Sequence, residues 1–267
     1  MKTLDMRPYR PYADMGTSCL RREIGEKKVI WPEAKERSIC EGNFTLKAID
    51  RKDVGRVAEF WRASYPEVYG SLHGWMLDPG EYEQHVAFVE NGKSDLENKP
   101  NAMLMAEENR TGDIAMASTL TKFDQNLQVE ASFFAIHPDY RKGERGFRIW
   151  EELHDYYDFL ESSGAEYITV FCETWQSITQ YVWFKRLGWK VAGIFPGNMT
   201  RWSGGQEEYR GCTVYFYRLL NGGDRFSTKP EEWQLLPEMK RLWDCLEEIN
   251  RESDDADLQT RGENRKS

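Results

Sequence analysis

The apolar residues of this chain change their spacing near His137-Pro138. Before this point, residues 101–109, 114–123 and 127–138 are apolar or alternate apolar with polar residues, and the short turns RTGD and DQN separate them. Short segments of this kind, joined by such turns, predict neighbouring antiparallel strands. We therefore expect the region to form a three-stranded meander.

After Pro138 the pattern becomes helical. The spacing predicts a helix over 147–163, a strand over 165–173, a helix over 177–187 and a strand over 190–197. Alternating strands and helices imply parallel pairing, with the first helix as a right-handed crossover. The two patterns together predict an α/β (α+β) protein.

Further elements lie on either side of this region. FTLKAID (44–50) alternates as a half-buried strand does, and Asp50 is a candidate cap for a helix over 51–65. A second helix is predicted over 81–91, and a last strand over 211–220.

The two ends of the chain differ from its middle. Prolines interrupt the polar N-terminal segment, in which KKVIW (27–31) is a candidate edge strand, and the last residues are charged with few large apolar groups. The predicted organisation is an irregular N-terminal extension (1–40), the main domain (41–222), a C-terminal helical extension (223–250) and a disordered tail (251–267).

Composition excludes several classes of protein. The formal net charge of −9 disfavours nucleic-acid binding and is compatible with a cationic partner such as an amine. Five cysteines without a C-x-x-C pair indicate reduced thiols and a cytoplasmic location. No signal peptide or membrane span is expected, and the four histidines lack metal-ligand spacing, so we expect no metal.

A cationic turn connects the third strand of the meander to the following helix. It contains Arg141, Lys142 and Arg145, together with Gly143 and Gly146. The first N–H groups of a helix are unpaired and carry partial positive charge, and glycines allow the backbone to approach an anion closely. Such a turn is either a phosphate site or a solvated basic surface loop.

Two motifs give the chain a family likeness: FAIHPDYRKGERGFRIWEEL after the meander, and SITQYVWFKRLGWKVAGIFPG further on. In order and spacing, residues 44–220 resemble the GNAT superfamily of acyl-CoA-dependent N-acyltransferases. The resemblance implies a mixed, mostly antiparallel sheet of about seven strands flanked by helices, with a splayed parallel pair at the acyl-CoA site. It also implies acetyl-CoA as co-substrate.

The resemblance assigns the coenzyme to two places. The backbone of Phe134, Ala135 and Ile136 is expected to bond the pantetheine arm. The turn from Arg141 to Gly146 is expected to hold the pyrophosphate; its residues are Arg141, Lys142, Gly143, Glu144, Arg145 and Gly146. Glu144 departs from the family pattern, because it stands where the first glycine of the motif is usual.

The second motif also departs from the pattern. Its aromatic–x–x–x–Gly–aromatic signature is Phe184, Gly188 and Trp189, and Phe184 replaces a tyrosine that serves many relatives as proton donor. Tyr181, about one helical turn earlier, is the substitute candidate. Ser177 stands where many relatives bind pantetheine with asparagine, and it also suits an N-cap, the interpretation we favour.

Glu130 is the candidate general base. It lies on an otherwise apolar strand, six residues before Ile136, at the position of the base in histone-acetyltransferase-like relatives. Its alternative role is a solvent-facing or strand-pairing carboxylate. Cys172 has no neighbouring base in the sequence and is interpreted as a core residue.

Acceptor contacts are expected from two aromatic segments with acidic neighbours, 61–82 and 195–211. The predicted function is transfer of an acetyl group from acetyl-CoA to a primary amine, on a small molecule or on a protein lysine or N-terminus, by direct attack in a ternary complex. The alternatives are a non-catalytic acyl-CoA-binding regulatory protein and a transferase of longer acyl groups. The expected partners are acyl-CoA and the amine, without nucleic acid or membrane, and the protein is expected to be a monomer or homodimer.

Overall fold

A single eight-stranded sheet forms the centre of the molecule. The computed structural model describes residues 18–22, 25, 27–142, 148–149, 154–203 and 207–264. The strands are β1 (Arg37–Ile39), β2 (Phe44–Ala48), β3 (Asn101–Glu108), β4 (Ile114–Phe123), β5 (Gln128–Ile136), β6 (Tyr167–Glu173), β7 (Lys190–Ser203) and β8 (Glu207–Leu219). The helices are α1 (Val54–Ser64), α2 (Tyr82–His85), α3 (Lys93–Asn98), α4 (His154–Ser162), α5 (Ser177–Tyr181), which continues as a π-helical turn (Val182–Arg186), and α6 (Pro237–Asn264).

The strand order is β1-β2-β3-β4-β5-β6-β8-β7. Every neighbouring pair is antiparallel except β5 and β6, which are parallel. The predicted fold class, the meander β3–β4–β5 and the parallel pair are confirmed. The strand predicted over 190–197 runs parallel to β6 but does not pair with it, because β8 folds back as a hairpin and lies between them.

Each face of the sheet is covered by a different core cluster. On one face, Val57, Ala58 and Trp61 of α1 pack with residues of the 68–88 segment. On the other face, Leu160 of α4 and Trp183 of the π-helical turn belong to a second cluster. The apolar stripe of α1 has the spacing that the sequence predicts for a helix with one buried face.

The segment before β1 is extended and ordered against the sheet. Val29 and Trp31 are buried, and the Lys122 ammonium of β4 donates to the Val29 carbonyl at 2.5 Å. KKVIW was expected as an edge strand, but it has no strand structure, and Arg37–Ile39 holds the edge position instead. Burial of two large side chains, rather than strand pairing, fixes this segment.

The 81–91 segment differs from its prediction as a helix. Only Tyr82–His85 is α-helical, because Val86 bridges to Asn101 and the Ala87 N–H donates to the Asn101 carbonyl at 2.8 Å. A helix appears instead at Lys93–Asn98, where a loop was expected.

The terminal helix α6 is attached to the edge strand β7 by one side chain. Asn250 accepts from the Val191 N–H at 2.7 Å and donates to the Val191 carbonyl at 3.0 Å, as a paired strand would. Glu252 forms an ion pair with Lys185. The helix continues to Asn264, across the boundary at residue 251 from which a disordered tail is predicted.

In the described part of the chain, no helix combines the length and the apolar character that a membrane crossing needs.

Replacing Asn250 by alanine is expected to destabilise the protein by about 1–3 kcal/mol, because both main-chain groups of Val191 lose their buried partner. Thermal unfolding would measure the loss. Glu248→Ala, at an exposed position of the same helix, is the matched control and should melt close to wild type. Equal melting of Asn250→Ala and the control would show that α6 is not held through this residue.

Candidate active site

Strands β5 and β6 pair over only four residues and then separate. Gln128–Ala131 pair with Tyr167–Val170. Beyond them, Ser132–Ile136 remain paired with β4 and Phe171–Glu173 with β8. A cavity of about 600 Å³ lies between the separated strands and is lined by residues of both.

A bulge in β5 accompanies the separation. Thr119 of β4 pairs with Phe133, and the next residue, Leu120, pairs with Ala131, so Ser132 is an extra residue in its strand. An extra residue bends and twists the strand that contains it. Ser132 and Phe133 both line the cavity as a result.

Phe134, Ala135 and Ile136 form the β5 wall of the cavity, as the sequence predicts. Arg141 lies at the end of this wall. Its Nε donates to the Ile136 carbonyl at 2.7 Å, and a terminal nitrogen donates to the Ser64 carbonyl of α1 at 2.7 Å. The guanidinium therefore joins β5 to α1 and places a positive charge at this end of the cavity.

Glu130 reaches the cavity through a hydroxyl group. Its Oε1 lies 2.9 Å from the Ser132 Oγ, which lies 2.8 Å from the Thr121 Oγ1. The His73 Nε2 is 3.3 Å from the same Thr121 oxygen. A chain of hydrogen-bonding groups thus runs from the cavity wall to a carboxylate on one side and an imidazole on the other.

Burial sets the protonation of both ends of this chain. Burial raises the pKa of Glu130, and the bond from Ser132 opposes that shift. Burial, together with a smaller effect of nearby His85, lowers the pKa of His73 to about 4. At neutral pH His73 is uncharged, and Glu130 is a stronger base than an exposed carboxylate.

A buried ion pair lies in the wall opposite β5. Glu173, at the end of β6, accepts from Arg201 of β7 at 2.5 Å and from the Tyr65 hydroxyl at 3.1 Å. Glu173 is 7% exposed and Arg201 is 4% exposed. Burial is the main cause that raises the pKa of Tyr65, which keeps the phenol protonated and able to donate.

The β7–β8 hairpin is longer than predicted. The predicted strands end at residue 197 and begin again at residue 211, but β7 continues to Ser203 and β8 begins at Glu207. Trp202 near the hairpin tip packs against Gly70, where a Cβ atom would lie 1.5 Å from the indole Nε1. The loop after α1 and the hairpin are therefore held in close contact at one edge of the site.

Cys172 is 2% exposed and lies in the core cluster of its face. Burial raises the pKa of its thiol, and the neighbouring Glu173 carboxylate raises it further. A thiol in this environment stays protonated and does not act as a nucleophile. The sequence interpretation of Cys172 as a core residue agrees with this placement.

Comparison with known proteins identifies the architecture. No protein-family model matches the sequence, and no curated protein matches it. Among solved structures, the ribosomal-protein-S5-alanine acetyltransferase from Vibrio fischeri aligns with a TM-score of 0.52 at 9% identity, over 70% of this chain and 98% of that one. The chain has a GNAT fold. A putative acetyltransferase from Salmonella typhimurium, solved with its cofactor acetyl-CoA, aligns at 17% identity with a TM-score of 0.47, over 67% of this chain and 95% of that one.

Other predicted residues of the GNAT site have mixed placements. Ser177 lines the cavity but is the first residue of α5, with Gln176 at the N-cap, so the cap interpretation was wrong. Tyr181 is 49% exposed, and it does not line the cavity. Phe184 packs against the core, with its ring centroid 6.4 Å from that of Phe216. Lys142 is exposed at the turn.

Four of the predicted coenzyme residues, Gly143, Glu144, Arg145 and Gly146, lie outside the described residues. Within the described ranges, no three His, Cys, Asp or Glu side chains cluster as metal ligands would.

Sequence reasoning did not single out four cavity groups: Ser132, Tyr65, Glu173 and Arg201. Tyr65 and Arg201 lie within the two segments from which acceptor contacts are expected, whereas Ser132 and Glu173 lie outside them. Tyr65 follows α1, Glu173 ends β6 and Arg201 lies on β7, so these three residues are far apart in the chain. The charged Glu173 at the end of an apolar strand was the one available signal, of the same kind that singled out Glu130.

Gly70→Ala is expected to destabilise the protein more than Gly92→Ala. Both glycines have a positive φ, +77° and +75°, but a Cβ at Gly92 meets nothing within 4 Å, whereas at Gly70 it meets the Trp202 ring. The control should lose about 1–2 kcal/mol from backbone strain alone. Denaturant unfolding of both variants measures the difference, and equal losses would mean that Trp202 does not pack on Gly70.

Proposed function

We propose that this protein is an acetyl-CoA-dependent N-acetyltransferase that acetylates a primary amine by direct attack in a ternary complex. The observation that carries the proposal is the cavity between the separated strands β5 and β6, with the Arg141 guanidinium at the end of its β5 wall. The GNAT fold agrees with this assignment.

The coenzyme is proposed to lie along β5. Phe134–Ile136 stay paired with β4 where β6 has separated from β5, and a pantetheine arm is proposed to take the place of β6 along this stretch. Arg141 and Lys142 follow at the end of this wall, where their charges suit a diphosphate. The remaining turn residues Gly143 to Gly146 are proposed to complete that contact.

The proton of the acceptor is proposed to leave through Ser132. The ammonium group gives one proton by way of this hydroxyl, or an ordered water, to Glu130. The free amine then attacks the carbonyl carbon of the thioester, forming the C–N bond, and the C–S bond breaks. The second proton, lost from nitrogen in the tetrahedral intermediate, goes to the departing sulfur.

A dedicated acid is not needed for the departing sulfur, because a thiolate is a fairly good leaving group. The exposed position of Tyr181 supports this simpler scheme. The phenol of Tyr65, by contrast, lines the cavity and is already bonded to Glu173.

Thiol release from acetyl-CoA in the presence of a panel of primary amines tests the function. Turnover with at least one amine is the expected result. Coenzyme binding without turnover would instead favour the acyl-CoA-binding protein, and mass spectrometry of a co-purifying coenzyme would identify a longer acyl group.

Lys142→Glu is expected to raise the Kd for acetyl-CoA by about 3- to 10-fold, because the change places a negative charge near the diphosphate. Calorimetry at low and high salt measures this, and the effect should shrink as salt screens the charge. Lys93→Glu makes the same charge change at an exposed position on α3 and should bind like wild type. Identical Kd values for the two variants would remove Lys142 from the coenzyme site.

Glu130→Gln is expected to lower kcat/KM by about 100-fold, the lower end of the range of general-base contributions. The carboxylate must be deprotonated to act, so wild-type activity should fall as the pH drops through its raised pKa. Glutamine does not titrate, so the ratio of wild type to variant should be largest between that pKa and the pKa of the amine. A ratio independent of pH would contradict the base role.

A further inference from the structure

One oxygen of the buried Glu173 carboxylate is left without a partner. Its Oε1 accepts from Arg201 and from the Tyr65 hydroxyl, whereas its Oε2 is buried and accepts from none of the described residues. A buried carboxylate oxygen without a donor is costly, and native structures usually supply one from protein, water or ligand. Glu173 also lines the cavity, so a ligand in the cavity can be that donor.

A glycine keeps space open beside this oxygen. A Cβ atom at Gly211 of β8 would lie 3.2 Å from the Glu173 Oε2, closer than ordinary van der Waals contact. The backbone of Gly211 does not have the positive φ that favours glycine. The absent side chain therefore relates to the space near the carboxylate rather than to the turn of the chain.

The neighbouring Arg201 guanidinium already donates its hydrogen bonds to other groups of the protein. Arg201 donates to Glu173 through Nε and a terminal nitrogen, and its other terminal nitrogen donates to the Thr200 carbonyl at 3.0 Å. Its guanidinium lies 5.8 Å from the centroid of the Tyr65 ring. These contacts hold the carboxylate in one orientation and leave Oε2 as its buried acceptor without a donor among the described residues.

The surroundings of this oxygen suit an amine on an apolar body. Tyr65, Phe171 and Trp175 line the same cavity, and the Trp175 side chain is 65% exposed. Aromatic faces attract cations and bury apolar carbon. Glu67 adds a second carboxylate to the lining.

We propose that the Glu173 Oε2 binds the ammonium group of the acceptor, and that Arg201 and Tyr65 position this carboxylate. The acceptor is then a primary amine carried on an apolar, preferably aromatic, skeleton. The inference rests on the proposed acetyl transfer, in which Glu173 binds and orients the amine while Ser132 and Glu130 remove its proton.

Binding of three small probes tests the inference without requiring turnover. The probes are 2-phenylethylamine, 2-phenylethanol and 3-phenylpropionate, which share a ring and differ in carrying a positive, neutral or negative end. Calorimetry with the wild-type protein in saturating coenzyme A should show that the amine binds at least about 10-fold more tightly than the alcohol or the carboxylate. This factor corresponds to the gain from one charge-assisted hydrogen bond. Equal binding of amine and alcohol, or no binding of the amine, would overturn the inference.

Glu173→Gln is expected to abolish the preference for the amine and to raise its KM, leaving the KM for acetyl-CoA unchanged. Glu161→Gln makes the same change at an exposed position of α4 and should keep the preference. A retained preference in Glu173→Gln would sink the proposal. This variant leaves the buried Arg201 without its counter-ion and can fail to fold.

Gly211→Ala tests the inference even if Glu173→Gln does not fold, because it keeps the Glu173 and Arg201 side chains and adds one methyl group beside the Oε2. Its affinity for 2-phenylethylamine should fall about 10-fold or more, with coenzyme binding intact. Gly55→Ala, where a Cβ meets nothing within 4 Å, is the matched control. Unchanged amine affinity in Gly211→Ala overturns the inference.

Failure of the wild-type protein to bind the coenzyme would instead refute the proposed acetyltransferase function. The two failures therefore have separate readouts.

Discussion

The separation of β5 from β6 after Ala131 is the constraint on which the site depends. A parallel pair normally continues until one strand ends, and here both strands continue with other partners. The extra residue Ser132 lets β5 keep its hydrogen bonds to β4 while it turns away from β6. The cavity and the place of Ser132 in its lining both follow from that one irregularity.

Two carboxylates of the site differ because their surroundings differ. Glu130 faces hydroxyl groups, and burial there favours its neutral form. Glu173 is equally part of a strand but lies against Arg201, which balances its charge. One group is thereby suited to take a proton, and the other is paired with a cation. The different roles proposed for Glu130 and Glu173 come from neighbouring side chains that distant segments of the chain contribute.

Structures outside the central strands also shape the cavity. The loop after α1 supplies Tyr65 and packs Gly70 on Trp202 of the hairpin, and Arg141 joins β5 to the end of α1. Each contact connects segments that differ widely in sequence position. Because glycine at residue 70 is required by the indole rather than by a turn alone, the loop and the hairpin constrain each other.

The patterns of single segments were enough to predict much of the fold. Apolar or alternating stretches over 101–138, separated by the short turns RTGD and DQN, specified β3, β4 and β5. The helical spacing of α1 and the strand–helix–strand order likewise specified the parallel pair. The β5 wall residues Phe134 to Ile136 followed from the family likeness, and they do line the cavity.

The sequence by itself determined the meander β3–β4–β5, the strand–helix–strand order that follows it and the position of a basic turn between them. Only the tertiary structure decided where β5 leaves β6, that β8 lies between β6 and β7, and that α6 runs past Asn250. It also decided that Tyr65, Glu173 and Arg201 meet. The reason is physical: periodicity records which face of a segment is apolar, whereas a bulge, a strand insertion or a buried ion pair is stabilised by partners from elsewhere in the chain.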